Sequence, residues 1–93
     1  MKIKSSDMDL VKIEWLDAMS DDNTWQEIKE LKDQKLRPVE LVGWILHQDD
    51  DKVITISSFD EESQMGGGGT TIPRCCIIRM LKLEEFKYEN KNN

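Results

Sequence analysis

Four consecutive glycines, Gly66 to Gly69, stand directly before Thr70 and Thr71, with Arg74 three residues further on. A glycine run can turn its backbone N–H groups inward with no Cβ in the way, as anion-cradling loops do. Here Gly68 and Gly69 would supply such donors, Thr70 and Thr71 hydroxyls, and Arg74 a positive charge. Trp44 would add a flat face on which a base can stack. These six residues form a candidate site for a small anionic, nucleotide-type ligand. A P-loop would need Lys-Ser/Thr after its last glycine and then a helix, whereas β-formers follow here. The plainer reading of the run is a slack connector between strands.

Other reactive side chains carry less. His47 with Asp49, Asp50 and Asp51 could be drawn as a metal cluster, but an oxygen-ligand site needs its ligands around a loop that curls back. Three successive aspartates read more simply as a solvated turn. One histidine in the whole chain leaves no nucleophile with an identifiable base. Cys75 and Cys76 are adjacent, so a disulfide between them would force the intervening peptide out of its relaxed form. No Cys-x-x-Cys spacing suggests zinc. No catalytic residue, metal ligand or cofactor is therefore expected, and the cysteines read as small strand residues with at least one buried.

The elements that must position the candidate site follow from periodicity. In "LVKIEWLDA", Val11, Ile13 and Trp15 alternate with Lys12 and Glu14, the pattern of a half-buried strand. "TWQEIKELKDQK" changes period: Trp25, Ile28 and Leu31 fall on one face of a short helix. Thr24 and Glu27 match a capping box at its start. Trp15 and Trp25 would fill the core between strand and helix, which leaves Trp44 as the tryptophan expected at the surface. A second strand runs from Pro38 through Gln48, an aspartate turn follows, and "KVITISS" returns, so 38 to 58 reads as a hairpin. Gly43 inside it marks a bulge, a bend or a close approach of another backbone.

"FDEESQMGGGG" has no periodicity and reads as the longest loop. A fourth strand ends near Ile72, a short turn spans 73 to 75, and a fifth strand runs from Cys76 to Leu83. That last strand is apolar on both faces, Ile77 and Leu81 on one and Cys76, Ile78 and Met80 on the other, which points to coverage by a second subunit. Five short strands and one helix predict a mostly β chain forming a small five-stranded SH3-like or Sm-like barrel. Residues 1 to 9 are expected to be flexible, 10 to 83 to form the single domain, and 84 to 93 a charged tail.

Ninety-three residues with a formal net charge of −6 allow one modest core and oppose non-specific contact with nucleic acid or an anionic membrane. No stretch is apolar enough for a signal peptide or a membrane span. A soluble protein of the cytoplasm with reduced thiols is the expectation.

"GWILHQDDDKVITI" resembles the first Sm motif, and "IPRCCIIRM" is similar to the second in its position after a variable loop, with Pro73-Arg74 where that motif carries Arg-Gly. The resemblance implies a barrel. Across about residues 11 to 83, "EWLDA", "VGWIL" and "IPRCCI" also resemble small proteins encoded by bacteriophages. This implies a phage accessory protein acting inside the host bacterium, where many such proteins sequester host factors and some trap nucleotide signals. The leading expectation is a non-enzymatic, homo-oligomeric anti-defence protein holding a small anionic ligand between subunits. The alternative is an acidic module that inhibits a host enzyme through Asp49 to Asp51 and Asp60 to Glu62.

Overall fold

The computed structural model describes residues 2–17, 25–88 and 90. The order of elements is β1 (Leu10–Asp17), α1 (Ile28–Lys32), β2 (Arg37–Gln48), β3 (Lys52–Ile56), β4 (Ser58–Asp60), β5 (Met65–Gly67), β6 (Thr70–Pro73) and β7 (Ile77–Lys82). Short 3-10 turns occupy Ser5–Asp7 and Arg74–Cys76. Five strands form one antiparallel sheet in the order β6-β3-β2-β1-β7, and β4 pairs with β5 as a separate ribbon. The mostly β class with one short helix agrees with the sequence reading. The sheet has two edges, β6 and β7, and no ladder joins them among the described residues.

Strand register explains which residues are buried. Residues directly opposite each other across an antiparallel pair share a face. Ile13 lies opposite Leu41 on β2 and Met80 on β7, and Val53 lies opposite Ile72. The result is a core of Val11, Ile13, Val53 and Ile72, with Trp15, Leu41, Ile45, Ile77 and Met80 packed around it. The indole N–H of Trp15 is buried there without a hydrogen-bond acceptor. On the opposite face, Lys12 pairs with Glu40 at 3.2 Å and Arg79 with Glu14 at 2.9 Å. Such exposed pairs contribute little to stability, but they mark that face as the solvent side.

Two irregularities shift the simple alternation. One bulge falls between Ile45 and His47 on β2, and another lies where Glu14 and Trp15 meet β7. The second puts Ile77 and Met80 toward the core while Ile78 is left at the surface. The expected division of β7, with Ile77 and Leu81 on one face and Ile78 and Met80 on the other, is therefore corrected by one extra residue. Gly43 meets the third of its three expectations. A Cβ there would lie 2.8 Å from the carbonyl oxygen of Ile56, so the neighbouring backbone leaves no room for a side chain.

Two further expectations change, one for the glycine-rich loop and one for Trp25. The glycine-rich stretch is an ordered hairpin: Ser58, Phe59 and Asp60 pair with Gly67, Gly66 and Met65. Asp60 caps its turn, accepting from Glu62 N at 3.1 Å and Ser63 Oγ at 2.9 Å. The first residues are tied to this hairpin, because Gln64 exchanges two 2.9 Å hydrogen bonds with the backbone of Ile3. α1 begins at Ile28 with Glu27 as its N-cap, and the capping role expected of Thr24 lies outside the described residues. Trp25 is 92% exposed and fills no core. Among the described residues no helix is long and apolar enough to cross a membrane.

Candidate functional site

Gly66 and Gly68 have local structural constraints of their own. Gly66 lies over Ile56, and a Cβ on it would approach two Ile56 side-chain carbons at 3.2 and 3.3 Å. A side chain at this position would press on Ile56, which the β4–β5 hairpin covers and which is buried although it sits on the solvent side of the sheet. Gly67 offers its carbonyl to Ser57 N at 3.0 Å. Gly68 has φ +63, a left-handed conformation that costs a side chain, and a Cβ there would overlap Ser57 Oγ. The run is thus a shaped turn into β6. Asp60, Glu61 and Glu62 belong to the same hairpin, so its local charge is negative.

The six sequence-derived site residues do not converge within one chain. Thr70 lies opposite Thr55 and Thr71 opposite Ile54, so alternation along β6 sends their hydroxyls to opposite faces. Arg74 lies beyond the far end of that strand, about 13 Å of extended chain past Thr70. Its backbone N–H donates to Asp51 O at 2.9 Å. Its guanidinium donates to Asp49 O at 2.6 Å and to Gln48 Oε1 at 2.7 Å. Arg74 therefore pins the β2–β3 turn to the β6–β7 connection. Gly68 and Gly69 sit at the other end of β6, and Trp44 is two strands away, opposite Leu10 and Ile56.

Trp44 is half-buried, and its surroundings are different from those expected. It helps line a depression of about 250 Å³ with Ser5, Leu10, Asp9, Lys82 and Glu85. Lys82 is held 3.3 Å from Asp9. Two carboxylates and one ammonium do not make an anion site, and the volume lies below the range of about 300–1,000 Å³ of ordinary ligand pockets.

The acidic turn is organised around one carboxylate. Asp49 Oδ1 accepts from the N–H groups of Asp51 and Lys52, both at 2.9 Å. Its Oδ2 faces His47 Nε2 at 2.9 Å and Lys52 Nζ at 3.2 Å. The His47 hydrogen bond, then the two backbone donors and Lys52, hold the Asp49 carboxyl well below the usual carboxylate range. With these partners Asp49 closes a β-turn, and no group of three metal-ligating side chains occurs among the described residues.

A pH consequence follows from the depressed titration of Asp49. Its contribution to stability is complete above the unfolded value of about 3.9 and is lost as pH falls below it toward the folded value. Between pH 5 and pH 2.5 the urea midpoint of Asp49→Asn should fall less than that of the parent. Equal falls would show that the turn carboxylate does not couple to folding.

Sequence spacing pointed to an apolar outer face on β7 but missed that it extends onto β2 and that the α1 segment is uncovered. Val42 and Leu81 flank Lys12 in one cross-strand row of the solvent face, 55% and 43% exposed. Leu46 and Ile78 are exposed beside them in the sheet. Away from the sheet, Trp25, Ile28, Leu31 and Leu36 are all exposed along the segment that carries α1. The signal was present in "VELVGWIL", where apolar residues occupy both phases of the strand. Comparison with protein-family models, with curated proteins and with solved structures finds no match.

Proposed function

We propose that this protein is a non-enzymatic binding module that works as a homo-oligomer, with the α1 segment of one copy docked on the apolar solvent face of another. The observation that carries this reading is the apolar surface left uncovered among the described residues, Val42 and Leu81 on the solvent face and Trp25, Ile28, Leu31 and Leu36 along the α1 segment.

The two apolar surfaces suit each other. A helix of five residues is far too short to persist alone in water, so α1 needs a cover for Ile28 and Leu31. The stretch from Trp25 to Leu36 balances Glu27, Glu30 and Asp33 against Lys29, Lys32 and Lys35, so the net charge of −6 resides elsewhere. Docking this stretch therefore brings neutral surface onto Val42 and Leu81. Barrel closure belongs to the same proposal: Arg74–Cys76 joins both sheet edges directly, and the order of strands supports curling toward a small SH3-like barrel. Together with the resemblance to phage-encoded accessory proteins, the reading is of a module acting in the cytoplasm of a host cell. Sequestering a small anion would need a cation from a second copy at Gly68 to Thr71, because Arg74 is committed to the turn.

Sedimentation velocity tests the assembly. The parent is expected to be oligomeric at about 100 μM, more so as salt rises, since screening relieves repulsion between acidic copies. Leu31→Glu should yield monomers with an unchanged β-sheet circular dichroism spectrum. A monomeric parent at every salt concentration overturns the proposal. A host protein retained only at low salt would instead favour the acidic turns Asp49 to Asp51 and Asp60 to Glu62 as the working surface.

A further inference from the structure

The cysteine pair has a geometry that strand placement would not give it. Consecutive strand residues point to opposite faces, but Cys75 and Cys76 lie in the 3-10 turn Arg74–Cys76. There the two sulfurs approach to 3.9 Å, both as free thiols, Cys75 exposed and Cys76 half-buried. The turn is fixed from both sides. Arg74 anchors its start through Asp51 O, Asp49 O and Gln48 Oε1, and Ile77 N–H closes its end on Arg74 O.

We infer that Cys75 and Cys76 form a two-thiol site for a trivalent thiophile of the monosubstituted arsenic(III) class. The separation selects the chemistry. A disulfide needs sulfurs about 2.05 Å apart, nearly half the observed gap, whereas a single bridging atom can bond both sulfurs with far less rearrangement. Soft thiolates favour soft acceptors. Zinc needs four ligands, and no third His, Cys, Asp or Glu joins the pair among the described residues. An organoarsenic(III) centre already carries one carbon substituent and lacks two bonds, which the pair supplies. An arsenoxide R–As=O condenses with both thiols: two As–S bonds form, the As=O bond is lost, and the oxygen leaves as water with the two thiol protons. Arsenic stays trivalent, so no oxidant or reductant is required. The hydrogen bond between the thiols, followed by burial and the nearby charges of Cys75 and Asp17, raises the Cys76 titration. That environment suits a neutral electrophile better than an anionic one.

Phenylarsine oxide is the probe, with intact-mass detection under excess glutathione. The parent is expected to retain one phenylarsenic adduct that glutathione does not displace and a small dithiol removes. Cys75→Ser and Cys76→Ser should each lose that resistance completely. Arg74→Ala keeps both thiols but frees the turn, and its affinity should fall roughly tenfold if preorganisation matters. A single-cysteine variant that holds the adduct as well as the parent overturns the two-thiol site. Unchanged affinity in Arg74→Ala overturns the claim that the fold builds it.

Discussion

Ile13→Ala is expected to lower the free energy of unfolding by about 3 kcal/mol, since deleting a large buried side chain costs both transfer energy and a cavity. Ile13 is fully buried on β1, a strand with a neighbour on each side, and it faces Leu41 and Met80. Only Val11, Ile13, Val53, Ile56 and Ile72 are buried apolar residues among those described, so few neighbours can shift to refill the space. For a chain of this length total stability is on the order of 5–14 kcal/mol, and the loss is a large share of it. Urea unfolding would show it as a lower midpoint at unchanged slope. Ile78→Ala serves as the control, because the bulge leaves that side chain half-exposed and its loss should cost under about 0.5 kcal/mol. A loss below about 1 kcal/mol for Ile13→Ala would mean that the core is not packed around this residue.

Gly43→Val is expected to cost about as much by the opposite mechanism. Its first added carbon would sit 2.8 Å from a backbone oxygen of β3 and 3.6 Å from Thr55 Cβ. The oxygen cannot rotate away as a side chain would, so β3 itself must move. That shift propagates to β6, since Val53 and Thr55 carry the pairing with Ile72 and Thr70. Gly43→Ala places the same Cβ without branches and should cost about 1–3 kcal/mol, with valine at or beyond the upper end. Hydrogen exchange would locate the damage: amides of β3 and β6 should lose protection before those of β1 and β7. Even loss across all four strands would place the defect elsewhere.

Strands with clean alternation were legible. β1 and the β2–β3 hairpin announced themselves because one face of each is apolar and the turn between the latter two is a run of aspartates. The bulges were not, since an inserted residue leaves the composition unchanged and shows only in the register with a partner. The β4–β5 hairpin was hidden for another reason. Its three-residue strands, Ser58–Asp60 and Met65–Gly67, have no apolar period. Asp60, Gln64 and the cover over Ile56 hold them instead.

The six candidate anion-site residues lie apart within one chain for a related reason. Threonine, arginine and glycine close in sequence were read as close in space, but a strand spreads its residues along its length and across two faces. Ile28 and Leu31 lie on α1 and Trp25 just before it, yet a periodic apolar pattern identifies a surface in need of cover without saying which chain supplies the cover. Cys75 and Cys76 illustrate the converse: adjacency in sequence became proximity of sulfurs only because the chain turns at Pro73.

The pairing of β1 with β7 joins strands far apart in sequence, with Leu83 N–H donating to Leu10 O at 2.8 Å and Arg79 reaching Glu14 across 65 positions. During synthesis the first strand therefore emerges long before one of its two neighbours exists. The β2–β3 hairpin can form early, because its contacts are local, whereas the β7 side of the sheet must wait until residues 77–82 have emerged. Until then β1 is a bare edge in a crowded cell, open to pairing with whatever strand comes first, including the same edge of a chain on the next ribosome.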